Sequence, residues 1–166
     1  LDAFNGCTSL ESLYIPASVT NLEPNPFTDC SSLTSIKVSE NNTVYDSREN
    51  CNAVVCTVTN ELIIGCKNTF IPSSICDIGY RAFLGCKGLE QIVIPSGIEG
   101  IGGDAFSECS KLKEINIPAN IKRIGLNPFS YCTNLESINV DKGNERYDSR
   151  ENSNAIIETE TNILIS

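Results

Sequence analysis

Apolar and polar residues alternate along this chain in short runs that keep returning. Five times it reads leucine, two residues, an apolar residue, one residue, another apolar residue: Leu10-Leu13-Ile15, Leu33-Ile36-Val38, Leu89-Ile92-Ile94, Leu112-Ile115-Ile117 and Leu135-Ile138-Val140. A period of two over so few residues predicts a short strand with one buried face. Pro16, Pro95 and Pro118 close three of these runs, where a residue without an N–H ends a ladder. A less regular sixth run leads from Cys66 to Ile71-Pro72. Strands are therefore expected near 10–15, 33–38, 66–71, 89–94, 112–117 and 135–140. After each comes a turn such as PSG or PAN, then an apolar segment ending in Ile78-Gly79, Ile101-Gly102 or Ile124-Gly125. The glycine is expected to allow a bend. The next stretch, x-x-Ala-Phe-x-x-Cys, predicts a tight turn or a single helical turn on the far side from the strands.

The runs keep a common register. The interval from Phe4 to Phe27 returns from Phe83 to Phe106 and from Phe106 to Phe129. It defines a short unit. The wider step from Phe27 to Phe83 holds one short unit and one long unit. Cys7, Cys30, Cys86, Cys109 and Cys132 each follow the phenylalanine at the same offset, and a leucine follows each cysteine at that offset again. The six letters YDSREN stand at 45–50 and again at 147–152. One long unit and three short ones fill the interval between the two copies, so the chain is an internal duplication. The longer modules cover 39–65 and 141–166. In the first, NAVVCT and ELIIGC are two strand-like runs around a turn, which predicts a β-hairpin bulging from the convex side or rim, with Tyr45, and Tyr147 in the second module, packed on it. Asp46, Ser47, Asn50 and Asn52 suit side-chain-to-backbone turns.

A short unit cannot bury its own apolar face, but stacked units close each other's cores. Strands of successive rungs would pair in parallel about 4.8 Å apart, with phenylalanine and cysteine ladders inside. These features point to one solenoid domain over 1–166.

The unit I-G-x-x-A-F-x-x-C-x-x-L-x-x-I-x-I-P, nearly literal at 78–95 and 101–118, resembles the leucine-rich repeats of the BspA type found in bacterial surface proteins. The resemblance runs along the whole chain and implies an α/β leucine-rich-repeat solenoid. It departs from ordinary leucine-rich repeats after the strand, where Pro16 leads to Ala17, Ser18 and Val19, and Ser39 and Asp141 replace the proline where the long modules begin. It implies a non-catalytic extracellular interaction or adhesion module at a bacterial surface, binding a protein, matrix or host-surface ligand. A passive spacer that presents another domain is the alternative. Leu1 corresponds to Gly103 and Ser166 to Ile64, so further repeats of the same parent chain are expected as neighbours.

Charge and composition narrow this. A net charge of -9 with no basic run lacks the electrostatic footprint of nucleic-acid binding. No apolar run approaches the roughly 18 residues of a membrane span. Histidine is absent, which removes the commonest general base and metal ligand. No cofactor or catalytic residue is implied.

Of nine cysteines, five share a repeat position and Cys66 takes a leucine's place, so these six are expected as buried small hydrophobes. Cys51, Cys56 and Cys76 match Ser153, Glu158 and Glu99, which predicts exposure and leaves a Cys51–Cys56 bridge open. Zinc would need paired spacing such as C-x-x-C, which the sequence lacks. GIGGDA at 100–105 resembles a phosphate loop, but repeat register explains it. DSREN could offer oxygen ligands to calcium, yet Arg48 and Arg150 sit in its two copies, favouring turns. Asn41-Asn42-Thr43 is a formal glycosylation sequon.

The remaining candidate is a surface. Residues between the buried apolars face outward, and equivalent positions hold Tyr14, Lys37, Phe70, Val93, Asn116 and Asn139. Beside them run Ser12, Ser35, Asn68, Gln91, Glu114 and Ser137. Three apolar members in an otherwise polar column predict a binding patch on a concave face.

Overall fold

A computed structural model describes residues 3–165. Leu1 and Ser166, the two positions used above to place the chain ends in the repeat, lie outside them. The strands are β1 (Ser12–Ile15), β2 (Ser35–Val38), β3 (Tyr45–Asp46), β4 (Ala53–Cys56), β5 (Glu61–Gly65), β6 (Asp77–Ile78), β7 (Gly100–Ile101), β8 (Glu114–Ile117), β9 (Arg123–Ile124), β10 (Ser137–Val140), β11 (Tyr147–Asp148), β12 (Ile157–Glu158) and β13 (Ile163–Leu164). They wind a solenoid of about six turns. Front strands pair in parallel one short unit apart in sequence, β1 with β2 and β8 with β10. On the opposite side β5, β6, β7 and β9 form a second parallel ladder, to which β4, the hairpin partner of β5, and then β3 add antiparallel.

Of the two forms expected on the far side, the tight turn is the one observed, for a physical reason. Among the described residues the helices are two three-residue 3-10 turns, Arg48–Asn50 and Arg150–Asn152. Each full Phe-x-x-Cys turn instead carries a pair of residues with positive φ: Arg81 59° and Gly85 70°, Asp104 52° and Glu108 63°, Asn127 54° and Tyr131 59°. Left-handed residues break a helix. Alternate N–H groups therefore point along the stack: Arg81, Phe83 and Gly85 donate to the carbonyls of Gly103, Ala105 and Ser107 one rung on. The position just before each column cysteine is filled by Gly6, Asp29, Gly85, Glu108 and Tyr131, all with positive φ. Glu108→Gly should stabilise the protein by roughly 0.5 kcal/mol, because glycine takes this conformation without the Cβ clash. A lowered urea midpoint would count against that account.

The glycine after isoleucine is needed for close approach instead of a bend. A Cβ on Gly102 would stand 2.5 Å from Tyr80 N and 2.6 Å from Gly79 C, the backbone of the adjacent rung.

The phenylalanines stack as expected, with ring centroids 5.0 Å apart for Phe4–Phe27 and Phe83–Phe106 and 5.5 Å for Phe106–Phe129. The thiols tie rungs together. Cys30, Cys109 and Cys132 donate through Sγ to the carbonyls of Phe4, Phe83 and Phe106 on the preceding rung, at 3.2, 3.2 and 3.1 Å. A small apolar side chain with one weak donor suits that place. Cys7 belongs to the same column but is exposed on the first rung.

The aromatic column is interrupted once. The hairpin lies inside the stack, contrary to the bulge expected from its two strand-like runs. Ala53, Val54, Val55, Leu62 and Ile64 are fully buried. Val54 and Ile64 pack with the N-terminal core around Phe27 and Ile36, whereas Ala53, Val55 and Leu62 pack with the core around Phe83 and Phe106. The hairpin is thus a partition with a core on either face. Cys51 is buried with it, correcting the expected exposure, and all nine thiols are free. Cys76 is exposed and Cys56 half-buried.

After the partition, β5 runs beside the next rung, with Gly65 N–H donating to Ala82 O at 2.8 Å, and passes straight to the front at Cys66. This pass has no phenylalanine turn, and a Cβ on Gly65 would overlap the Phe83 ring. The Phe27 turn reaches across the gap: buried Asn25 donates from Nδ2 to Arg81 O at 2.9 Å and Leu84 O at 3.3 Å. Five phenylalanine turns therefore serve six front passes, and the front must fan out at this junction. Accordingly 66–71 and 89–94, expected as strands, join no ladder among the described residues. The bond from Lys113 N–H to Glu90 O is long at 3.4 Å.

Both long modules close with the same polar knots. Asn42 is buried and uses all four hydrogen-bonding positions. Its Nδ2 donates to Pro16 O and Val19 O, both at 2.9 Å, and its Oδ1 accepts from the N–H groups of Val44 and Tyr45, both at 2.9 Å. Asn144 repeats this with Pro118, Ile121, Arg146 and Tyr147. Tyr45 and Tyr147 accept backbone N–H bonds from Leu22 and Ile124. The Asp46 carboxylate is held by Arg48, and Arg48 also donates to Asn60 Oδ1. Asp148, Arg150 and Asn162 repeat the arrangement. These carboxylates serve turns, which is the reading the arginines favour.

Candidate functional site on the front face

Along each front strand Ile or Leu points inward and the residue between points out. In β8 Ile115 and Ile117 are buried while Glu114 and Asn116 are exposed. All six candidate residues, Tyr14, Lys37, Phe70, Val93, Asn116 and Asn139, stand exposed on this side. Tyr14 pairs with Lys37 across β1 and β2. Asn116 pairs with Asn139 across β8 and β10, and Asn139 Nδ2 donates to Asn116 Oδ1 at 3.2 Å. Phe70 and Val93 lie between on the two passes without ladder bonds, 47% and 81% exposed.

Val93, Asn116 and Asn139 line one groove of about 400 Å³. Gln91, Glu114 and Asp141 rim it, and Ile92, Ile94 and Pro118 contribute apolar wall. Amides that accept and donate, two carboxylates and an exposed aliphatic side chain equip it to recognise a surface. Tyr14 is separated from this groove; it borders an apolar hollow with Phe4, Leu13, Pro16 and Leu22 at the first rung. Alternation identifies the outward column, but it does not reveal Asp141 and Ser96, which the groove also draws in.

A second cavity was not legible in the sequence. At the fanned junction Lys67, Lys87 and Lys111 line a hollow of about 580 Å³ with Ser31, Asn68, Gly88, Glu90 and Gln91. The available signal was a lysine one or two places after Cys66, which stands in a leucine's place, and after the next two repeat cysteines: Cys66-Lys67, Cys86-Lys87 and Cys109-Ser110-Lys111.

The thiols of the core are tuned by burial. Desolvation pushes Cys51 and Cys132 up to about 11 and Cys86 up to about 12 from 9.0, so these thiols are protonated near neutrality and poor nucleophiles. Cys56 differs: burial raises it, but hydrogen bonds from the Thr59 side chain and backbone outweigh that and bring it below 9.0.

Stacked parallel passes, an apolar interior and a polar face define a leucine-rich-repeat solenoid. Six copies of the BspA type leucine rich repeat region match residues 1–66 and 61–161, and the chain belongs to that family. A leucine-rich repeat protein from Eubacterium ventriosum is 28% identical with a TM-score of 0.69, over 80% of this chain and 36% of its own. A leucine rich cell surface protein from Faecalibacterium prausnitzii shares the fold at 23% identity and a TM-score of 0.55, over 94% of this chain and 45% of its own. The pneumococcal vaccine antigen PcpA shares it at 24% identity and 0.54, over 81% and 40%. The chain thus spans less than half the length of each of these structures. No curated protein matches it in sequence. Among the described residues no helix is long and apolar enough to cross a membrane.

Proposed function

We propose that this chain is a non-catalytic adhesion module of a bacterial surface protein, binding a protein or extracellular-matrix partner through its front face. The observation that carries the reading is the column of exposed Tyr14, Phe70 and Val93 on an otherwise polar face, with Val93 set in the groove beside Asn116 and Asn139. The stacked passes hold the backbone beneath these side chains, so binding orders little beyond rotamers. Membership of the BspA-type family supports an interaction role, and a fold relative named as a cell surface protein accords with an extracellular location.

The test is a triple variant, Tyr14→Ala/Phe70→Ala/Val93→Ala, assayed against immobilised matrix extract. Loss of at least about tenfold in affinity, the order of one buried anchor residue, with an unchanged melting temperature supports the reading. Retention of full binding by the variant overturns the assigned face, and binding by neither protein favours a spacer.

A further inference from the structure

We infer that the lysine-lined notch at the fanned junction is a second binding site, and that it takes an acidic saccharide bearing sulfate or carboxylate groups. The notch has a structural cause. Where the third front pass lacks its phenylalanine turn, Lys67 enters the gap between the Phe27 and Phe83 rungs and lays its stem against Gly88, whose missing Cβ would lie 2.8 Å from Lys67 Cδ. Ser31 O stands 3.3 Å from the same point, so the rungs on both sides meet here.

The charges are locally inverted. In a chain of net charge -9, the notch gathers Lys67, Lys87 and Lys111 against one carboxylate, Glu90. The carboxylates in reach do not neutralise it equally. Asp29 holds the Lys87 ammonium at 3.0 Å and fixes its place. Glu90 lies 3.9 Å from Lys111, with both side chains more than half exposed, a pairing worth little in water. Lys67 is half-buried and has no ion pair among the described residues.

The rest of the lining selects the ligand class. Asn68, Gln91 and Ser31 supply amide and hydroxyl groups, and among the described residues no aromatic or aliphatic side chain lines the hollow. A peptide would find nowhere to bury an apolar anchor. A saccharide chain brings hydroxyls for the amides and anionic groups for three ammoniums. At physiological salt the Debye length is about 8 Å, so the distant carboxylates of the chain are screened from a ligand in the notch.

The probes are heparin, hyaluronan, poly-glutamate and neutral dextran, measured by calorimetry on the whole chain. Heparin binding that weakens with salt and falls by roughly tenfold in Lys67→Gln/Lys111→Gln, as expected for two lost ammonium contacts, supports the site. Lys122→Gln/Lys142→Gln, outside the notch, should bind as the parent does. Hyaluronan distinguishes carboxylate from sulfate as the recognised group. Absence of heparin and hyaluronan binding, equal weakening by both lysine pairs, or binding of poly-glutamate or dextran as tight as heparin would overturn the proposal. The front-face triple variant should still bind heparin, which separates failure of this site from failure of the front-face reading.

Discussion

Asn42→Leu should cost the fold about 4 kcal/mol, the order expected when several buried backbone groups lose their partners together. Leucine repeats the branching of asparagine but offers nothing to Pro16 O, Val19 O and the N–H groups of Val44 and Tyr45. Those groups belong to two successive passes, so the substitution unlocks the turn that leads into the partition. Denaturant unfolding should show a lower midpoint for the whole transition. Asn144→Leu removes the same four bonds from the last long module, whose β13 is exposed. Nearest-neighbour coupling in a stack then predicts local loosening of residues 141–165 in hydrogen exchange, with the main midpoint moved less. Equal midpoints for Asn42→Leu and the parent would refute the bonding argument.

The second large effect is alkaline instability. Cys51 and Cys132 ionise at about 11 in the folded chain and near 9.0 when unfolded. A folded value raised above the unfolded one favours the protonated native state. Its contribution is complete below pH 9 and disappears as pH rises through 11. The unfolded chain releases a proton that the folded chain keeps, so stability falls by about 1.4 kcal/mol per pH unit for each such thiol. Unfolding free energy measured across this alkaline window should therefore drop steeply. Cys51→Ala will be weaker below the window through its cavity, yet its decline above pH 9 should be shallower by one thiol's share. An unchanged slope would mean that burial does not hold this thiol protonated.

Much of this architecture can be read from period and alternation, because a residue that recurs once per unit in a stack meets its own kind. Phe83, Phe106 and Phe129 stack for that reason, and Ile115 and Ile138 become Cα partners. The partition is the exception. Read as one strand-like run of a hairpin, NAVVCT gives no hint of enclosure, whereas its informative feature is three consecutive apolar residues, Ala53-Val54-Val55, the mark of burial on both faces. The counterpart of Cys51 misleads for a related reason, since Ser153 is exposed where Cys51 is enclosed. The left-handed turn positions carry Gly, Asp, Glu and Tyr in different rungs, so no residue type announces them. Outward front residues follow from strand geometry and were legible. The lysine notch was not, because it depends on a turn that is missing.

That missing turn also bears on the shape of the molecule. The first long unit lengthens the front of the rod by one pass while leaving the phenylalanine edge as it was. Wherever such a unit falls, the axis must swing toward the shorter edge. Short units add equally to both edges and impose no such swing. The ratio of long to short units is thus a steering parameter written into the sequence, by which insertion or loss of one hairpin would redirect everything stacked beyond it.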